Sequence, residues 1–428
     1  MEYNFKKFRI RDIKQYTINP LYKNSFYLIS NSLVGSFLGF IFWMVAAKLY
    51  NTEEVGISTA IFSAIGLISA LSQIGLDTSV IRYFPETKNK TNLINICIFI
   101  PFILSLLLSS VYLLGLNIWS PKLSILTNFR YSLLFVTFAG AYTIYSLLSN
   151  IYVAGRSAKF SFFLSTFWAS MKIPFLIALS SLGLLGIFNS WGFVTILSSV
   201  IGIIAIKKLY NEYKLKIKFE KELLIKMINY SLSNYIAGLL FSSPILVLPI
   251  ILANYLNPSM ATFFYISWMI AGLFYTVIGV TNLSLFAECS HDIKALKNNI
   301  FSALKLILLI IVPGTIVVAL FSDKILLIFG KSYSENASTL LILLVLSSFP
   351  YAINQMFITL NKVKMKKLPI IYFNAFTSVC LFSIVFATIG QMGIISVGIG
   401  WLTAQSVSSL IASVYVYKTY FVVSSKIL

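Results

Sequence analysis

A chain of 428 residues in which 58% are hydrophobic and 11% charged has more apolar side chains than one water-soluble core of that size can hide. The formal charge of +20 would suit a nucleic-acid partner, but the cations alternate by loop, 26 of 33 on one set and five on the other. That sorting follows the positive-inside rule, so the charge is topogenic, nucleic acid is excluded as the partner, and lipid is the solvent.

Residues 1–24 form a polar, basic lead containing Lys6, Lys7, Arg9, Arg11, Lys14 and Lys23. They suit either an anionic membrane surface or a frayed tail. No small-residue cleavage site follows a short apolar core, so the first span is expected to be a retained anchor.

Apolar runs long enough to cross a bilayer follow at 25–47, 55–75, 93–116, 131–153, 162–182 and 187–206. Six more lie at 232–253, 261–286, 300–321, 340–360, 368–389 and 393–416. Backbone groups in hydrocarbon must pair within their own segment, so each run is predicted to be a helix and the fold to be all-α. The second run is expected to continue as helix past Asp77 and Arg82 to Phe84, where Pro85 stops it. Gly35, Gly39, Gly398 and Gly400 are expected to let helices approach closely. Between runs six and seven, residues 207–226 hold seven lysines and three glutamates.

The expected organisation is therefore a lead (1–24), an amino lobe of six spans (25–206), a connector (207–229), a carboxyl lobe of six spans (230–418) and a tail (419–428). Both termini are expected in the cytoplasm. The loops opposite are short, the longest being 117–130 and 322–339, too small for a catalytic or receptor domain. Ser30-Asn31 with Gly35 matches Ser233-Asn234 with Gly238, and Phe84-Pro85-Glu86 is expected to close the second span much as Phe286-Ala287-Glu288 closes the eighth. Such spacing points to an internal repeat.

Lys172 lies in the middle of the fifth run, where an ammonium costs about 2.5 to 3.5 kcal/mol on insertion scales. It should face a wet cavity or a partner; the alternative is a lysine bonded to carbonyls or to Asn and Ser side chains. Pro174 frees a carbonyl nearby. Arg82 and Arg156, at the basic ends of their spans, are candidate anion forks or plain topogenic charge, and Arg130 stands on the opposite rim. Asp77 is a candidate for coupling or for pairing with a cation or hydroxyl. Asn31, Asn234, Asn282, Asn354 and Gln355 could line a cavity; Asn374 and Gln405 are further amides within spans. All of these amides could instead tie helices together, which is the commoner case. His291 has no Cys or His at ligand spacing, so no metal is expected. No phosphate loop or nucleophile elbow is present, so neither enzyme activity nor a cofactor is expected. Cys97, Cys289 and Cys380 imply no disulfide framework.

Residues 46–63 (AAKLYNTEEVGISTAIFS), 75–86 (GLDTSVIRYFPE) and 154–161 (AGRSAKFS), with the Asn and Gly of the first span, resemble the O-antigen-type polysaccharide and oligosaccharide-lipid flippases. These belong to the multidrug/oligosaccharidyl-lipid/polysaccharide (MOP) exporter superfamily. The resemblance implies a V-shaped pair of six-helix bundles around a cavity, working by alternating access in the cell membrane. It implies a polyprenyl-diphosphate-linked oligosaccharide as substrate, with Arg82 and Arg156 as substrate-binding cations near the inner mouth; Lys172, read from its mid-span position, has the sign that such a diphosphate needs and is the third expected substrate-binding cation. Membrane lipid and other glycan-assembly membrane proteins are the implied partners. The alternative is a multidrug or cation exporter of the same superfamily, whose cavity should be acidic. A membrane polysaccharide polymerase or ligase ranks behind both, because it should carry a long outside loop with paired arginines.

Overall fold

The computed structural model describes residues 20–210, 213–214, 220–291 and 296–416. The basic lead, the carboxyl tail and parts of the connector therefore lie outside the described residues. So do the neighbours of His291 at 292–295, and nothing is described of the His291 side chain.

The described chain is all-helical. In order it runs α1 (Pro20–Leu49), α2 (Thr52–Gln73), α3 (Leu76–Tyr83), α4 (Lys90–Leu114), α5 (Phe129–Ala154), α6 (Ala158–Ala178) and α7 (Leu184–Leu209). After the connector come α8 (Lys221–Tyr255), α9 (Pro258–His291), α10 (Leu296–Leu327), α11 (Lys331–Leu346), α12 (Ser348–Val363), α13 (Lys367–Met392) and α14 (Ile395–Val416). Twelve helical segments among the described residues are long and apolar enough to cross a bilayer. Large side chains such as Phe37, Leu107, Leu133, Phe163, Leu309 and Leu410 stand exposed on them. Water would not tolerate so many; hydrocarbon does. The protein is a multi-pass membrane protein with an all-α fold.

Three local expectations are overturned. The second span does not continue unbroken to Phe84. Ile74 and Gly75 both take left-handed backbone, φ 41° and 82°, which ends α2 and starts α3 in a new direction. Glycine meets that geometry without a Cβ penalty; isoleucine does not. The expected loop 322–339 is mostly helical, because α10 runs to Leu327 and α11 begins at Lys331. The tenth span is consequently two helices meeting at Ser347. Finally, the stretch 286–288 does not end its helix as residues 84–86 end theirs, since α9 continues to His291.

Close approach is found at other glycines than those of α1. A Cβ on Gly35 or Gly39 would meet open space, whereas one on Gly398 would lie 2.8 Å from Leu343. Gly35 and Gly39 therefore do not serve helix packing within these contacts.

The chain groups into two compact units. One comprises Met1–Val45, Ile68–Leu113 and Asn128–Ser231; the other comprises Ala46–Leu67, Leu114–Thr127 and Leu232–Leu428. The first sixteen of the 22 residues of α2 thus belong with the second unit, and the contacts explain why. The Thr262 hydroxyl donates to the Thr52 carbonyl at 2.8 Å, and the Thr52 and Ser259 hydroxyls lie 3.1 Å apart. A Cβ at Gly56 would fall 1.8 Å from the Pro258 carbonyl oxygen, so only glycine permits this approach.

In the first unit the core at the basic end is built from α3 and the adjoining ends of its neighbours. Leu76, Val80 and Tyr83 pack with Leu93, Ile94, Ile151, Ile206, Tyr213 and Met227. The Ser79 hydroxyl donates to the Met227 carbonyl at 2.6 Å, and the Tyr213 hydroxyl to Asn95 Oδ1 at 2.9 Å. Both ends of the described connector are therefore fastened to α3 and α4.

In the second unit α8 carries Pro244 and Pro249. Each removes the amide that would bond the carbonyl four residues earlier. The Ser378 hydroxyl takes that place on Leu240 at 2.8 Å, and the Ser63 hydroxyl reaches the Ile245 carbonyl at 3.5 Å.

Candidate functional site

Lys172 sits on α6 of the first unit, and its side chain is 5% exposed. It faces neither lipid nor a carboxylate. Its ammonium lies 3.3 Å from the centre of the Trp168 ring and 4.9 Å from that of Phe42 on α1. Trp168 is placed one helical turn before Lys172, the spacing at which side chains on a helix meet. Its indole N–H donates to the Thr195 hydroxyl on α7 at 2.8 Å, which fixes the ring. Tyr145 stacks on Trp168 at 5.0 Å, Trp191 meets it edge-on at 6.2 Å, and Tyr142 lies 5.0 Å from Trp191. The result is a cation in an aromatic chamber formed by α1, α5, α6 and α7.

Neither carbonyls nor Asn or Ser side chains satisfy this ammonium: among the described residues its contacts are the two rings. A desolvated cation–π contact is worth about 2 kcal/mol. Two such rings can offset the insertion cost of about 3 kcal/mol, yet rings accept no directed hydrogen bonds, and an ammonium has three to give.

The other candidate residues are dispersed. Arg82 pairs with Glu86 one turn on, both about half exposed. Arg156 is exposed in the α5–α6 turn with φ 52°, and Arg130 is exposed in the first turn of α5. Asp77, half-buried at the start of α3, accepts from the Thr78 hydroxyl at 3.2 Å. Asn31 accepts from Ser165, tying α1 to α6. Asn234, which follows Ser233 as Asn31 follows Ser30, is exposed. The matching tie in the second unit comes from the opposite helix, where Asn374 donates to the Ala237 carbonyl at 3.0 Å.

Asn282 is buried, donating to Ile278 at 2.9 Å and accepting from the Thr359 hydroxyl at 3.4 Å. Asn354 and Gln355 line a cleft in the second unit with Asn374 and Gln405. The structure thus brings Asn354 and Gln355 together, while Lys172, Arg82 and Arg156 stand apart.

Sequence reasoning passed over the aromatic companions of Lys172. Trp168 could have been found, because a lysine four residues after a tryptophan on one helix is a stacking signal. Phe42, 130 residues away in sequence, offered none. Among the described residues no group of three or more His, Cys, Asp or Glu side chains is placed to hold a metal.

No family model matches the sequence, and no curated protein is similar to it at the sequence level. Solved structures do match. The lipid II flippase MurJ in an inward closed conformation superposes with a TM-score of 0.75 at 15% identity, covering 91% of this chain and 87% of that one. An inward-facing multidrug resistance MATE family transporter of the MOP superfamily gives 0.67 at 14%, over 89% and 93% of the two chains. A MOP superfamily transporter from Pyrococcus furiosus Vc1, described as having a binding pocket of reversed polarity that suggests a different function, gives 0.59 at 14%, over 96% and 98%. At these identities the likeness speaks to architecture, and over nearly the whole chain that architecture is the fold of MOP superfamily transporters.

Proposed function

We propose that the protein moves a polyprenyl-diphosphate-linked oligosaccharide from the cytoplasmic to the outer leaflet of the cell membrane, for assembly of a surface glycan. Lys172 carries the reading: a buried ammonium that has aromatic faces and no acceptor suits a diphosphate, which supplies anionic oxygens at hydrogen-bonding distance. In this scheme Lys172 is the substrate-binding cation at depth. Arg82 and Arg156 capture the head group at the basic, cytoplasmic end, and the isoprenoid tail stays in lipid. Both termini are cytoplasmic, the two lobes alternate access, and other membrane proteins of glycan assembly are partners.

A second reading, export of organic cations, has one observation behind it. The rings of Tyr142, Tyr145, Trp168 and Trp191 could stack on a flat cation. Lys172 in their midst disfavours that by like-charge repulsion.

Reconstitution in liposomes separates the two. A fluorescent lipid-linked diphosphate oligosaccharide should exchange leaflets only in vesicles containing the protein, and Lys172→Ala should abolish the exchange. Transport of ethidium by the same vesicles, with no exchange of the lipid-linked sugar, would establish the second reading instead.

A further inference from the structure

The second unit holds a cleft of different chemistry from the surroundings of Lys172. Tyr142 in α5 and Tyr351 in α12 each lie twelve residues before the last residue of their helix. The residues that follow at the same offsets are Tyr145 and Ser146 in one, Asn354 and Gln355 in the other. Where the first unit has rings around a cation, the second has amides beside rings. Tyr351, Asn354, Gln355, Asn374, Trp401 and Gln405 converge on one cleft between α8, α12, α13 and α14.

Asn354 is 2% exposed and Gln405 3%. The Asn354 amide group donates to the Gln405 carbonyl oxygen at 3.0 Å and to its Oε1 at 2.6 Å. The Asn354 Oδ1, by contrast, has no donor among the described residues. An acceptor without a protein donor is open to a ligand that brings a hydroxyl or amide N–H to that oxygen in place of a water. Trp401 donates its N–H to the Tyr275 hydroxyl at 2.9 Å and packs 5.1 Å from the Trp268 ring, which fixes its orientation at the cleft.

No residue lining the cleft is charged. That disfavours a phosphate, which would lack a cation, and an organic cation, which would lack a carboxylate. Amide edges beside aromatic faces are the chemistry that orients hydroxyl and acetamido groups over an apolar ring face. We infer that this cleft is a saccharide subsite, taking a neutral sugar whose hydroxyl or acetamido N–H donates to Asn354 Oδ1. The sugar's being part of the transported molecule rests on the flippase reading; its binding here does not. The open space at the centre is about 20 Å³, room for about one water, so sugar binding must widen the cleft.

The test is calorimetric titration of the full chain in nanodiscs with two neutral probes, tri-N-acetylchitotriose and maltotriose. At least one should bind, and Asn354→Leu should weaken it at least about tenfold, the loss of roughly 1.4 kcal/mol. Should Asn354→Leu fail to fold, Gln355→Ala serves, because Gln355 lines the cleft without a helix tie; it should weaken binding several-fold with an unchanged melting temperature. Absence of binding by both probes, or binding indifferent to the substitution, overturns the inference. Inorganic pyrophosphate titrated into the same preparation probes the Lys172 chamber separately. Failure of pyrophosphate with Asn354-dependent sugar binding intact would remove the flippase reading and leave this subsite standing.

Discussion

The ammonium of Lys172 lies 3.3 Å from the centre of the Trp168 ring, one turn earlier on α6. This contact lets a cation reside within a membrane helix without a carboxylate partner among the described residues.

If the rings compensate the buried charge, the two side chains must be energetically coupled. Trp168→Leu is expected to destabilise the protein by about 3 kcal/mol, in the range of large aromatic truncations. In a Lys172→Met background the same change should cost about 1 to 2 kcal/mol less, the worth of a desolvated cation–π pair. Thermal unfolding of the four proteins in one detergent measures the cycle, and strict additivity would show that the ring and the charge are independent.

Gly56 is predicted to be intolerant of any side chain. A Cβ there would lie 1.8 Å from the Pro258 carbonyl oxygen, whereas one at Gly35 meets nothing within 4 Å. Gly56→Ala should sharply lower the folded protein recovered from membranes, and Gly35→Ala should leave it unchanged. Size-exclusion profiles of the two variants decide the matter.

Membrane sidedness follows from charge sorting. Reporters fused after Lys122 and Lys331 should read outside, and those after Lys214 and Lys364 inside. The reverse pattern would refute the assignment of the basic loops to the cytoplasm.

Burial pushes the Tyr213 phenol up to about 12, above its ordinary value of about 10. A phenol raised in the folded state stabilises fully below the unfolded value and loses that contribution as pH rises through the folded one. Wild-type stability should therefore fall between pH 10 and pH 12 by roughly 1.4 kcal/mol per unit from this group. Tyr213→Phe should lose the corresponding part of the slope. At neutral pH it should cost about 1 kcal/mol for the bond to Asn95. Equal alkaline slopes for the two proteins would show that Tyr213 ionises freely in the fold.

Much of the architecture was legible in the sequence because lipid imposes one rule on every segment, and a run of apolar residues long enough to span has one way to satisfy its backbone. The breaks were not legible. Ile74 in left-handed backbone contradicts its own preference, so local propensity could not have located this break. The polar stretch 331–339 had the composition of a loop, yet Tyr333 and Ala337 are buried one turn apart on α11, an amphipathic face that a hydropathy average blurs.

The candidate site divides the same way. Lys172 announced itself by its cost at mid-span. Its companion Phe42 and the pairing of Asn354 with Gln405 arise from contacts between distant segments, which one sequence does not display. Asn31 and Asn282 bond neighbouring groups in the fold, while Asn354 keeps one acceptor free; composition could not tell these apart.

Delivery of the surface glycan in cells carrying Lys172→Ala, scored beside the amount of protein in the membrane, tests the role of the buried ammonium most directly. Loss of the glycan with protein at the wild-type level, and recovery of some delivery by Lys172→Arg, is the expected result. Full delivery by Lys172→Ala at the wild-type protein level would contradict it.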